Sequence, residues 1–115
     1  MIKVSILYPN RAGGHFDADY YVNVHMPLAM KLLVSAVKSV TVEVGVSGAV
    51  GGQAPPFHAV TGYTCESLRA FSEAFLPVAD QLKSDMPNYT DIEPIIQVSK
   101  VSELRVSEPA HAATH

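Results

Sequence analysis

Between residues 21 and 46 the spacing of apolar side chains switches from three-and-four to strictly two, and that switch most limits the fold. Tyr21, Val24, Leu28 and Leu32 recur at the spacing of one buried helix face. Val40, Val42, Val44 and Val46 then alternate with Thr41, Glu43 and Gly45, which is the period of a strand, in the β-branched residues that favour one. Asp17 is placed to start the helix, because its side-chain oxygen can accept from a free N–H of the first turn. Asp19 follows where the positive end of the helix dipole favours an anion. Pro27 interrupts the helix by removing an N–H and crowding the carbonyl of Asn23. The helix is therefore expected to kink there, or to restart with Pro27 in its first turn. His25, four residues after Tyr21 and three before Leu28, projects beside the buried face.

The same two periods organise the rest of the chain. Ile2, Val4, Ile6 and Tyr8 alternate with Lys3, Ser5 and Leu7, a strand that Pro9 ends. After the second strand, Gly48, Gly51, Gly52, Pro55 and Pro56 mark a long connection over residues 47–56, of the kind that can serve as a lid. Residues 57–65 read as a third strand, with Phe57, Ala59, Thr61 and Tyr63 on one face. His58, Val60, Gly62 and Thr64 fall on the other. A second helix spans residues 66–83, its stripe formed by Leu68, Phe71, Phe75 and Leu82, and Pro77 interrupts it. Pro87 and Pro94 make the next stretch turn-like. Residues 95–104 form the last strand, with Gln97, Ser99 and Val101 opposed to Ile96, Val98 and Lys100.

The order β-α-β-β-α-β predicts an α+β, ferredoxin-like fold: a four-stranded antiparallel sheet with both helices on one face. Strands one, two and four carry apolar residues on both faces, and an open apolar face of that size needs cover. The expected solution is a homodimer joined through the open sheet faces, a dimeric α+β barrel. Length sets a single domain, residues 1–104, followed by a small and polar tail at 105–115 that is expected to lack regular structure.

Composition excludes several classes. The net charge is −3 and the eight basic residues are scattered, which gives no nucleic-acid footprint. No apolar run reaches the roughly 20 residues of a membrane span. The first residues lack a secretory h-region, and one cysteine, Cys65, fits a reducing compartment, so a cytoplasmic location is expected. His15, His25 and His58 lack ligand spacing, so no metal is expected. Without GxGxxG or GxxxxGK[ST], no nucleotide cofactor is expected either.

Three segments carry a resemblance: Tyr8-Pro9 at the end of the first strand, FDADYYVNVHMPLA over residues 16–29, and MPNYTDIEPIIQVSKV over residues 86–101. Together they resemble the EthD family, small proteins named for an ether-degradation cluster. The resemblance implies the dimeric α+β barrel fold. It also implies roles described as oxidoreductase or degradative, with isomerases, cyclases and cofactor-free monooxygenases among related barrels. His25 is the recurring residue with chemical capacity, and it becomes the candidate catalytic centre.

An imidazole can act as a general acid or base, which gives His25 that capacity. Alternatively it is a buried, neutral histidine satisfied by a backbone carbonyl. Tyr8, Tyr21, Tyr63 and Gln97 are candidates for substrate binding, as polar tips in an apolar pocket, although packing alone would explain each of them. His58 reads as a dimer-interface or surface residue. Asn88, Tyr89 and Thr90 read as turn chemistry. The expected activity is that of a small cofactor-independent enzyme acting on a hydrophobic organic molecule. The alternative is a non-catalytic dimer that binds such a molecule.

Overall fold

Strand β1 (Ile2–Pro9) lies at the centre of the sheet, paired antiparallel with β3 (Phe57–Cys65) on one side and β4 (Ile95–Lys100) on the other. Strand β2 (Val37–Val44) adds to the far side of β3, giving the order β2-β3-β1-β4, all antiparallel. The computed structural model describes residues 1–107. The expected tail at 105–115 lies mostly outside the described residues.

Register places Val40, Tyr63, Val4 and Val98 in one row across the four strands, and Val42, Thr61, Ile6 and Ile96 in the next. These rows face the helical layer. That layer holds α1 (Ala18–Tyr20), a π turn (Tyr21–His25) and α2 (Met26–Leu33), then α3 (Leu68–Phe75), a 3-10 turn (Leu76–Val78) and α4 (Ala79–Asp85). A further 3-10 turn, Met86–Asn88, leads toward β4. Val4, Tyr8, Ala59 and Tyr63 of the sheet join Tyr21, Ala29, Leu33, Phe71 and Leu82 of the helices in one core. This is the ferredoxin-like α+β architecture, with both helical stretches on one face.

Four expectations change. The first helix does not bury Val24, which is exposed; Tyr21, His25, Met26, Ala29 and Leu33 point inward instead. The reason is the π turn, whose extra residue shifts the inward face of everything beyond it. Strand β4 stops at Lys100 rather than Leu104. The open face of the sheet is also more polar than expected, because β2 presents Ser39, Thr41 and Glu43 there. Its apolar part is a stripe of Ile95, Leu7 and Val60.

His58 is the fourth. A register shift at the end of β1 pairs Tyr8 with Ala59 and Pro9 with Phe57. Such a bulge breaks the alternation of faces. The His58 ring stacks on Phe16 at 5.5 Å instead of standing on the surface, and its Nε2 is buried without a partner among the described residues.

The 47–56 connection returns on itself through Gly48 N–H to the Gln53 carbonyl, and Asn10 donates to the Pro55 carbonyl. Gly45 is needed at its base, since a Cβ there would collide with the Phe57 carbonyl oxygen. None of this connection lines the cavity described below, so it does not act as a lid on it.

Candidate active site

Asp17 caps the first helix as its sequence requires, accepting from the Tyr20 N–H at 3.1 Å. Four residues later the helix widens: the Met26 N–H reaches back five residues to the Tyr21 carbonyl. Pro27, in the first turn of α2, has no N–H to lose there. The wide turn lets two consecutive residues, His25 and Met26, both point inward, and it stacks the His25 ring on Tyr21 at 5.5 Å.

The last turn of α4 supplies the partner of His25. His25 Nδ1 lies 2.9 Å from Asp85 Oδ2. The other carboxylate oxygen accepts from the Tyr20 hydroxyl at 2.7 Å and from Asn88 Nδ2 at 3.0 Å. Partial burial alone would raise the Asp85 carboxyl. The hydrogen bonds from Asn88, His25 and Tyr20 outweigh burial and hold the group below its ordinary value. An ionised Asp85 assigns the proton of neutral His25 to Nδ1, which leaves the Nε2 lone pair free.

That lone pair meets Tyr89. The Tyr89 hydroxyl is 3.4 Å from His25 Nε2 and 2.8 Å from the Tyr8 hydroxyl. Asp85, His25, Tyr89 and Tyr8 thus form a continuous hydrogen-bonded chain. Burial pushes all four nearby phenols, Tyr8, Tyr21, Tyr63 and Tyr89, above the usual tyrosine range, so they remain O–H donors at neutral pH. Two are occupied elsewhere: Tyr21 bonds Thr61 Oγ1, and Tyr63 donates to Met26 Sδ at 3.7 Å. The polar end of the site is therefore Tyr8, Tyr89 and His25.

These groups line a cavity of ≈ 140 Å³ between sheet and helices, whose other walls include Val4, Ile6, Leu33, Phe71 and Leu82. Of the residues singled out from sequence, His25, Tyr8, Tyr21 and Tyr63 all reach it. Gln97 does not. It pairs with Ser5 on the opposite face of the sheet, exposed, and donates to Ser99 Oγ at 3.0 Å. The alternation of β4 separates Gln97 from Ile96 correctly; the helices cover the Ile96 side.

Asp85, Tyr20 and Tyr89 were not evident as site residues. Tyr89 sits in a Pro-Asn-Tyr-Thr turn that reads as local structure, and Asp85 ends a helix where no spacing ties it to His25. The turn is tied to the start of the first helix: Asp17 N–H donates to the Tyr89 carbonyl and Thr90 Oγ1 to the His15 carbonyl. Thr90 and Asn88 keep the turn roles expected of them, and Asn88 adds a bond to Asp85. Cys65 is buried, which raises its thiol and keeps it protonated. Among the described residues no group of three or more His, Cys, Asp or Glu side chains is placed to hold a metal ion. No helix among them is long and apolar enough to cross a membrane.

Residues 16–93, which include His25, Asp85 and Tyr89, match the family model of the EthD domain. The chain belongs to the EthD family. An EthD-like protein from Ralstonia eutropha JMP134 shares 38% identity and superposes with a TM-score of 0.84, over 90% of this chain and 94% of that one. An ethyl tert-butyl ether d (EthD) family protein from Bacillus halodurans C-125 shares 14% identity at a TM-score of 0.61, over 89% and 99% of the two chains. A structure from Arabidopsis thaliana, also 14% identical, reaches 0.64 over 92% and 100%. The last two share the fold. No curated protein matches the chain.

Proposed function

We propose that this EthD-family chain is a small enzyme that moves a proton on an apolar, oxygen-bearing organic molecule, with His25 as general base and acid. The observation that carries this is the Asp85–His25–Tyr89–Tyr8 chain at one end of an otherwise apolar cavity. His25 Nε2 takes a proton from the carbon beside a carbonyl or lactone group. The Tyr8 and Tyr89 hydroxyls donate to the oxygen as it gains charge, where a low dielectric strengthens them. Asp85 steadies the imidazolium, which returns the proton to another atom of the substrate. The step is redox-neutral and balances on the chain's own groups.

A dimer through the Ile95–Leu7–Val60 stripe belongs to the same proposal, as does a reducing, cytoplasmic setting for Cys65. A second reading, a binding protein without turnover, draws on one feature: all four phenol hydroxyls have partners within the protein.

The test follows α-deuterium uptake into cyclohexanone and δ-valerolactone in D₂O. His25→Gln, which keeps a polar side chain beside Asp85 but cannot serve as base, is expected to lose about 100-fold or more. Full exchange by a His25→Gln protein with unchanged circular dichroism would end the enzymatic reading and leave the binding one.

A further inference from the structure

The cavity is not closed. Lys83, Met86, Pro94 and Ile96 border it and also border a second, outer groove of ≈ 580 Å³, which continues past Pro87, Ile92 and Glu93. The two spaces differ in kind. An enclosed apolar space of about 150 Å³ admits a single benzene ring, and the inner cavity, at ≈ 140 Å³, is of that size. The outer groove is larger and more open, a trough along the surface with room for a flexible chain.

The sheet explains why they connect. Ile96 and Val98 of β4 belong to the rows that face the helical layer, yet they stay 59% and 44% exposed, because the helices stop short of β4. Ile96 thus forms a bare apolar floor where the two spaces meet, and Val98 continues the exposed strip beyond it. The groove's charges sit around that floor: Lys83 at the seam, Asp91 and Glu93 beyond it, with Asp91 engaged by Arg11 at 3.6 Å.

We propose that the site is built for a two-part molecule: a single-ring, oxygen-bearing head in the inner cavity and an uncharged, flexible apolar tail in the outer groove. The placement of the head oxygen beside Tyr8, Tyr89 and His25 rests on the proton-transfer reading; the tail does not. Fused polycyclic heads are excluded by volume. A carboxylate at the end of the tail gains no net attraction, because Lys83 and Arg11 are matched by Asp91 and Glu93, and it loses hydration on the apolar floor, so it is disfavoured.

The experiment is a calorimetric comparison of ligands with matched carbon counts. 4-Butylphenol is set against 2-naphthol, and 4-octylphenol against 9-anthrol, with phenol and 4-ethylphenol completing the series. Affinity is expected to rise about three- to fourfold per methylene along the alkylphenols. Each alkylphenol is expected to bind at least tenfold more tightly than its fused-ring match, and 4-hydroxybenzenepentanoic acid more weakly than 4-pentylphenol. A flat alkyl series, or fused rings that bind as well as their matches, overturns the two-part site. If His25-dependent deuterium uptake persists in that case, the proton-transfer reading survives. If the alkyl series behaves as expected and His25→Gln exchanges normally, the site shape stands and the enzymatic reading falls.

Discussion

Each helical stretch is interrupted by a proline, and the two interruptions go opposite ways. At Pro27 the helix has widened, with the Met26 N–H reaching five residues back. At Pro77 it tightens, with the Ala79 N–H reaching only three residues back, to the Leu76 carbonyl. The first break is buried: His25 and Met26 are 7% and 3% exposed. The second faces outward, with Leu76 71% exposed. Proline sets only that an ordinary turn cannot continue. What lies against the sheet decides the rest. Two adjacent inward residues call for a wide turn, whereas outward residues allow a tight one. The proposed site, with His25, sits at the wide turn.

The largest effect should come from overloading that turn. Inserting an alanine after exposed Asn23 adds a residue that the already widened turn cannot absorb, rotates the helix beyond it by about 100° and turns His25 out of the cavity. It is expected to cost more than about 3 kcal/mol in urea denaturation, the scale of losing a large buried side chain, and to abolish alkylphenol binding. Retained binding would show that the widening is incidental.

Next is Asp85→Asn, which leaves the helix and removes the charge that three donors share. A loss of about 1–3 kcal/mol is expected at neutral pH. The Asp85 carboxyl titrates below its ordinary value in the folded protein, so its stabilisation is fully present above the unfolded value of about 3.9 and fades as pH falls through the lower folded value. The gap between wild type and variant should therefore close below about pH 4. A gap constant with pH would separate Asp85 from the charge it is assigned. The smallest effect belongs to the other break. Pro77→Ala should shift stability by less than about 1 kcal/mol and leave binding intact, and a binding defect would erase the contrast between the two helices.

The period switch was sufficient for the order of elements, and Asp17 and the two prolines marked where the helices start and break. The phase of the first helix was not legible. Val24 and Leu28 fit an ordinary helix face, and only the competing burial of His25 and Met26 draws in the extra residue. His25, Tyr8, Tyr21 and Tyr63 were identifiable because each is a polar tip on an apolar face. Asp85 and Tyr89 were not, because they reach His25 across 60 and 64 residues of chain and no local spacing records such a meeting. Gln97 was misplaced for a related reason: alternation separates two faces of a strand without saying which one the helices will cover.

Tyr89 is tied by backbone to Asp17, and Phe16 bridges Thr90, so the first helix begins against the segment that follows the last one. During synthesis, at about 5–20 residues per second, the chain spends seconds with its first helix made and this anchor still missing. His25 waits over that interval with neither Asp85 nor Tyr89 beside it. The site is thus among the last parts of the molecule to come into being. A chain that ends a quarter early, near Met86, holds three strands, both helical stretches and the His25–Asp85 pair, and still lacks Tyr89 and the anchor of its first helix.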